Sequence, residues 1–165
     1  MTDPKIQLAC WQDVDALVSL LNACANHMHQ QGMSHCLDVY NAQTVRQNLL
    51  QKSVYVLEQD SKIIGCVALG IQRADYYDDC WPLAPVADFY LTQLAVLPEY
   101  QQAGYGRLLL EHCLGLVGQH TLQLDAVAHY PELLNFYRKS SFKQIAQGIG
   151  LGDLRYLFEY RASAH

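Results

Sequence analysis

Residues 94–117 read LAVLPEYQQAGYGRLLLEHCLGLV, and this stretch restricts the fold of the chain more than any other. A β-rich run, VADFYLTQLAVL (86–97), stops at Pro98, which has no N–H to give to a central ladder. The loop PEYQQAGYG follows and leads into the helix-forming stretch of 101–118, which Gly118 closes. A strand that passes through a short loop into a helix delivers the helix N-terminus to the edge of a sheet. Unpaired amides and the helix dipole make that position a natural anion site. Gly104 and Gly106 let the backbone approach such an anion where a Cβ would intrude. By themselves the two glycines fit a plain turn as well as a phosphate cradle. No Gly-Lys-Ser/Thr follows, and the third glycine of the dinucleotide fingerprint is absent.

The remaining elements surround this core in a mixed α/β order. KIQLA (5–9) reads as a first strand. Asp13 is placed to cap a helix whose apolar stripe is Val14, Leu17, Val18, Leu21 and Ala25. A shorter helix is expected over 41–51. SVYVLEQDSKIIGCVALGI reads as a hairpin turning at Gln59 to Ser61. TLQLDAVA (121–128) is a strand, PELLNFYRKS (131–140) a helix with proline in its first turn, and FKQIAQ and LRYLFEY are two closing strands. The order β-α-α-β-β-β-α-β-α-β-β predicts one mixed sheet with helices on both faces, in a single domain spanning 1–165.

Charge and cysteine usage narrow the function classes. A net charge of −5 argues against nucleic acid, which demands concentrated Lys and Arg. No apolar run approaches the roughly 20 residues of a membrane span, and MTDPKIQLACWQD lacks the apolar run of an export signal, so a cytoplasmic location is expected. The six cysteines form no C-x-x-C pair and no zinc spacing. His27, His29 and the His35–Cys36 pair show no metal-ligand spacing either, and no metal is expected.

QQAGYG fits the Q/R-x-x-G-x-G/A signature that binds a coenzyme A pyrophosphate, and the whole LAVLPEYQQAGYGRLLL segment resembles motif A of the GNAT superfamily, the Gcn5-related N-acetyltransferases. LDAVAHYPELLNFYRKSSF (124–142) is similar to that family's motif B. The resemblance covers nearly the whole chain. It implies a mostly antiparallel sheet that splays between the fourth and fifth strands, with acetyl-CoA as co-substrate. Leu94, Ala95 and Val96 would then lie on a bulged fourth strand whose backbone meets the pantetheine arm. The segment Gln101, Gln102, Ala103, Gly104, Tyr105, Gly106 and Arg107 would hold the pyrophosphate. Arg107 fits either a charge-assisted contact or a solvated helix surface. Two positions depart from the family pattern: Tyr130 stands where Asn is usual, and Ser141 where Gly is usual before the closing Phe.

Acetyl transfer needs a neutral amine, a polarised thioester carbonyl and a proton for the leaving thiolate. The resemblance assigns the proton to Tyr137, which also fits a buried helix face with Leu133, Leu134 and Phe136. Alternation along the fourth strand puts Asp88, Tyr90 and Thr92 on one face. Asp88 is then the candidate base, unless it merely ends a loop, and His129 is the reserve. Glu99 reads as structural in its turn, and His112 as a core or groove residue. The acidic, aromatic run DYYDDCWPLAPVAD reads either as a cover for a cationic amine or as a solvated surface loop with its Trp packed on the sheet. The implied function is N-acetyl transfer to an amine of a small molecule or peptide. A catalytically inactive acyl-CoA-binding sensor or subunit is the alternative. Many members of the family are dimers, so a homodimer is compatible, although no interface signature is present.

Overall fold

Among the described residues seven runs are strands, most of them rich in β-branched and aromatic residues: β1 (Lys5–Leu8), β2 (Ser53–Gln59), β3 (Lys62–Gly70), β4 (Phe89–Val96), β5 (Leu122–Val127), β6 (Lys143–Gly150) and β7 (Asp153–Tyr160). The helices are α1 (Val14–Gln30), α2 (Ala42–Gln51), the short α3 (Tyr77–Cys80), α4 (Tyr105–Val117) and α5 (Pro131–Lys139). The structure is a computed structural model that describes residues 3–33 and 38–162; the His35–Cys36 pair lies outside the described residues. The strands hydrogen-bond in the order β1-β2-β3-β4-β5-β7-β6, with β4 and β5 parallel in a mostly antiparallel sheet. No described helix is long and apolar enough to cross a membrane.

The chain divides into two compact units, one formed by 1–69 and 92–113 and the other by 70–91 and 114–165. In the first, β2 and β3 form the expected hairpin. Asp60 and Ser61 both take positive φ (51° and 64°), the twist a two-residue hairpin turn needs. Its core is made of Val56, Leu57, Ile64, Val67, Leu109, Leu110 and Cys113, all fully buried. Each such aliphatic side chain contributes roughly 1.5–3 kcal/mol. The α1 stripe includes Leu20 and Cys24 and leaves Val18 only half-buried. Asp13 does not cap α1. It sits in helical conformation at the end of a 3-10 turn (Trp11–Asp13), and its carboxylate accepts the Cys10 N–H at 2.8 Å. The cap at α2 is Asn41, which exchanges bonds with Thr44 as a capping box.

In the second unit, β5, β7 and β6 form an antiparallel ladder that buries Leu122, Leu124, Leu157 and Phe158. β6 runs three residues beyond the expected FKQIAQ, because Leu151 and Gly152 (φ 51° and 87°) make a two-residue hairpin turn before β7. The parallel ladder of β4 with β5 consists of two pairs, Phe89↔Leu122 and Tyr90↔Gln123.

Candidate functional site

In the first unit the candidate site begins in β4, where Gln93 adopts φ +56° in the middle of a strand. A left-handed residue there is a bulge: it breaks the alternation of faces and costs on the order of 1 kcal/mol or more. β4 begins only at Phe89, so Asp88 lies just outside the strand, and Gln93 comes after Tyr90 and Thr92, so the alternation expected up to Thr92 is left intact. Three side chains grip carbonyls around the bulge. Cys66 Sγ donates to the Gln93 carbonyl at 3.4 Å, and the Val96 carbonyl accepts from Cys24 Sγ (3.2 Å) and Gln101 Nε2 (2.9 Å). Burial pushes the Cys24 thiol up to about 11, with the Glu99 charge adding, and pushes Cys66 higher still, so both keep the proton they donate. Gly65 on β3 lies where a Cβ would approach the Ala95 carbonyl to 3.1 Å, so this strand is packed closely from below.

After β4 the backbone tightens into a 3-10 turn (Pro98–Tyr100), with Tyr100 N–H on the Leu97 carbonyl and Gln101 N–H on that of Pro98. Glu99 forms a long ion pair with Lys62 in this turn. Gln102 (φ +64°) and Gly104 (φ +87°) are left-handed, and α4 starts at Tyr105. The Leu108 N–H bonds the Gly104 carbonyl at 3.0 Å. The amides of Tyr105, Gly106 and Arg107 therefore precede the helical ladder, where a helix leaves N–H groups free for an external acceptor. A Cβ on Gly104 would meet no atom within 4 Å, so this glycine serves the backbone conformation and the space before the loop is open. Arg107 is exposed and pairs with Glu111 at 2.9 Å on the helix surface. Such a pair holds the guanidinium weakly. Of the remaining residues in the expected set, Leu94 and Ala95 are half-buried, Val96 is buried, and Gln101, Gln102 and Ala103 are exposed. His112 is half-buried, edge-on to Tyr55 at 4.7 Å, with a buried Nε2 that has no hydrogen-bond partner among the described residues.

The second unit holds the expected catalytic side chains. Tyr137 is buried on α5 with Leu134, and its ring packs on Phe136, Phe142 and Phe158. Burial, aided by the Asp125 charge, holds its hydroxyl well above the ordinary phenol range, so it stays protonated at neutral pH. The end of α5 is built on the same residue. The Tyr137 carbonyl accepts the Phe142 N–H (3.2 Å) and the Arg138 carbonyl accepts that of Ser141 (3.3 Å), a Schellman arrangement with Ser141 left-handed at φ +72°.

Asp88 is exposed just before β4. Its carboxylate accepts from Thr121 N–H (2.9 Å) and Thr121 Oγ (3.1 Å), with His120 Nδ1 at 3.5 Å. The Thr121 amide first, then its hydroxyl and His120, hold this carboxyl below its ordinary value. Asp88 thus clips the entrance of β5. Tyr90 is buried, its hydroxyl accepting the Ala87 N–H at 2.9 Å. His129 is exposed in the turn after β5.

One cluster was not anticipated. Asp125, on β5, accepts from Tyr76 Oη (2.9 Å), Tyr77 Oη (2.6 Å) and Arg155 Nη1 (3.0 Å), with the Asp125 and Arg155 side chains only 8% and 11% exposed. Arg155 also donates to the Gly150 carbonyl and lies over the Tyr76 ring. The aromatic run is a surface loop with its tryptophan packed, as one of the two expectations had it: Asp75, Asp78 and Asp79 are exposed, while Tyr77 and Trp81 are buried with Cys80, Tyr90 and Leu157. Gly148 and Gly150 make room for it, since a Cβ at either would come within 2.1 Å of the Cys80 carbonyl or 2.3 Å of its sulfur. The sequence signal was the charged residues on two largely apolar strands, Asp125 in TLQLDAV and Arg155 and Glu159 in LRYLFEY, but nothing local pairs Asp125 with Arg155.

Residues 50–144 match the acetyltransferase (GNAT) domain family, more than half of the chain. The chain belongs to the GNAT family. It is similar to the S-alkylcysteine N-acetyltransferase of Bacillus subtilis (strain 168), 25% identical over 161 residues that cover 93% of this chain and 86% of that protein. In fold it is similar to a GNAT acetyltransferase from Streptococcus agalactiae, with TM-score 0.82 at 13% identity over 98% of this chain and 96% of the other. It is also similar to the PaiA N-acetyltransferase of Thermoplasma acidophilum in complex with coenzyme A, with TM-score 0.74 at 17% identity, covering 98% and all of that chain. GNAT membership and this mixed sheet identify an acyltransferase fold.

Proposed function

We propose that this protein moves the acetyl group of acetyl-CoA to an amine of a small molecule or peptide. The observation that carries the reading is the left-handed Gly104 turn, which follows the bulged strand after one 3-10 turn and puts the first amides of α4 ahead of the helical ladder. Gln102 to Arg107 hold the pyrophosphate through main-chain donors, Gln101 having given its own N–H to the Pro98 carbonyl, and Arg107 adds charge once it leaves Glu111. Backbone groups of Leu94, Ala95 and Val96 meet the pantetheine arm, and an amide in that segment polarises the thioester carbonyl. Tyr137 protonates the departing thiolate. The coenzyme A complex of the Thermoplasma neighbour supports this choice of ligand.

For the base, the reading departs from alternation along β4. A carboxylate already accepting from Thr121 and depressed below its usual value takes a proton poorly, so Asp88 acts as the clip of β5 and His129 takes precedence. Asp88→Asn should leave the acidic limb of kcat/KM unchanged; a shifted limb would return Asp88 to the mechanism. The name of the Bacillus relative puts S-alkylcysteines and other amino-acid amines at the head of the acceptor panel, ahead of polyamines and lysine peptides.

Calorimetry with coenzyme A and acetyl-CoA tests the whole reading. Gly104→Val should weaken both by tenfold or more while costing only about 1 kcal/mol of stability, as a side chain is forced into the left-handed region. No affinity in the unaltered protein ends the proposal. Affinity without thiol release on any amine selects the inactive acyl-CoA-binding module instead.

A further inference from the structure

We propose that Gln101, Cys66 and Cys24 are positioning residues for the coenzyme: their side chains hold the carbonyls of Gln93 and Val96, keeping the bulged segment of β4 and the loop before α4 in one fixed relation. The proposal rests on the coenzyme reading given above and assigns side-chain work to a site otherwise built from main chain. Its basis is the coincidence of contacts within four residues. A non-glycine residue sits at φ +56° in Gln93, where a strand ordinarily relaxes to extended backbone. The carbonyl of that strained residue accepts from Cys66, and the one three residues on accepts from both Cys24 and Gln101. Gly65 brings β3 against the Ala95 carbonyl between them. A strained conformation persists only where its surroundings over-determine it, and these contacts do so.

Gln101 has a second consequence. Its main-chain N–H closes the 3-10 turn on the Pro98 carbonyl while its side-chain amide reaches back to Val96. The start of the glycine loop and the end of β4 are thereby tied through one residue. A ligand that touches both the strand and the loop binds more tightly when their separation is already set, because the ordering is not charged to binding. The thiols contribute weak donors. Neither ionises near neutral pH, since burial raises both.

The variants are Gln101→Glu, which keeps the shape but sets a carboxylate against the Val96 carbonyl, Gln101→Arg, which restores a donor, and the pair Cys66→Ala and Cys66→Ser. Calorimetry with coenzyme A should show Gln101→Glu about tenfold weaker, Gln101→Arg within about threefold of the unaltered protein, and Cys66→Ser binding more tightly than Cys66→Ala. Hydrogen exchange of the peptide covering 91–97, measured without ligand, should be faster in Gln101→Glu at an unchanged melting midpoint. Equal affinities across the series, or unchanged exchange, overturn the latch. If the unaltered protein binds no coenzyme A, the coenzyme reading fails, and the exchange result alone still decides whether the side chains hold the bulge.

Discussion

In the unit formed by residues 1–69 and 92–113, the polar atoms of the candidate site are mostly main-chain groups, and the side chains that touch them are thiols and one amide. In the unit formed by 70–91 and 114–165, the polar atoms belong to side chains: one carboxylate and one guanidinium paired with each other, and three phenols that burial holds above their ordinary range. The first arrangement suits a ligand recognised by phosphates and amide edges, which any sequence with the right turns can supply. The second fixes particular side chains against one another and tolerates little substitution. Binding is therefore expected to depend on backbone conformation in one unit, and turnover and stability on side-chain identity in the other.

The largest effect should come from breaking the buried cluster. Asp125→Ala strands Arg155 in a site where it is only 11% exposed and leaves two tyrosine hydroxyls unpaired, a loss of about 3–5 kcal/mol. Urea denaturation measures it, and a loss below about 1 kcal/mol would mean that water screens the cluster. The indoles report the place of the damage. Trp81 is 4% exposed and Trp11 53%, so in a Trp11→Phe background the emission of Trp81 should shift to the red as the Tyr76–Trp81 turn lifts away. The double variant Asp125→Ala/Arg155→Met should regain part of the stability, because no charge is then left buried alone.

Next in size is Tyr137→Phe. The ring packing on Phe142 and Phe158 survives and only the hydroxyl goes, so the melting midpoint should scarcely move. Losing a positioned proton donor should lower kcat roughly 100-fold with the KM for acetyl-CoA unchanged. Unchanged kcat would assign the thiolate proton to another group. The contrast with Gly104→Val, where affinity falls, is the kinetic form of the comparison between the units.

How much of this was legible in the sequence follows from the same contrast. The glycine loop, the strand stop at Pro98 and the start of α4 are local, and LAVLPEYQQAGYG announced them within a dozen residues. The Gln93 bulge came only from resemblance, since nothing in FYLTQLAV marks a left-handed glutamine. Asp125, Arg155, Tyr76 and Tyr77 are scattered over 80 positions and meet only after β5 and β7 pair, with Val127 opposite Arg155 and Asp125 opposite Leu157. Propensity and spacing do not reach that far. Asp13 failed as a cap for a different reason: its carboxylate was taken by the Cys10 amide, a competing local bond of the kind short polar side chains favour.

Alkaline pH separates the units by titration. Burial raises Cys24 to about 11 and Cys113 to about 12 from an ordinary 9.0 in the first unit, while in the second it raises Tyr76, Tyr77 and Tyr137 above an ordinary 10.0. In each case the unfolded chain releases the proton first. Stability is thus full below the unfolded value and falls as pH rises through the window up to the folded one, by about 1.4 kcal/mol per pH unit for each fully buried group. Thiols should begin the decline near pH 9 and phenols steepen it near 10. Cys113→Val should flatten the slope between about pH 9 and 12 by that per-group amount. Melting midpoints across this range check it, and an identical slope in the variant would refute the assignment to Cys113.

The smallest expected effect sharpens the comparison from the other side, by making a backbone substitution in the side-chain unit. Ser141 holds φ +72°, a conformation that costs a residue with a Cβ on the order of 1 kcal/mol, and it does so to close the Schellman cap on the Tyr137 carbonyl. Ser141→Gly removes that strain and adds some unfolded-state freedom, for a net gain of about 0.5 kcal/mol. If this cap merely ends a helix, the gain should appear in the urea midpoint and kcat should stay put. If it also governs where the Tyr137 hydroxyl points, kcat should change with it, because the two capping bonds end on Tyr137 and its neighbour Arg138. A midpoint that falls instead would show that the Ser141 hydroxyl contributes more to this turn than its strained backbone costs.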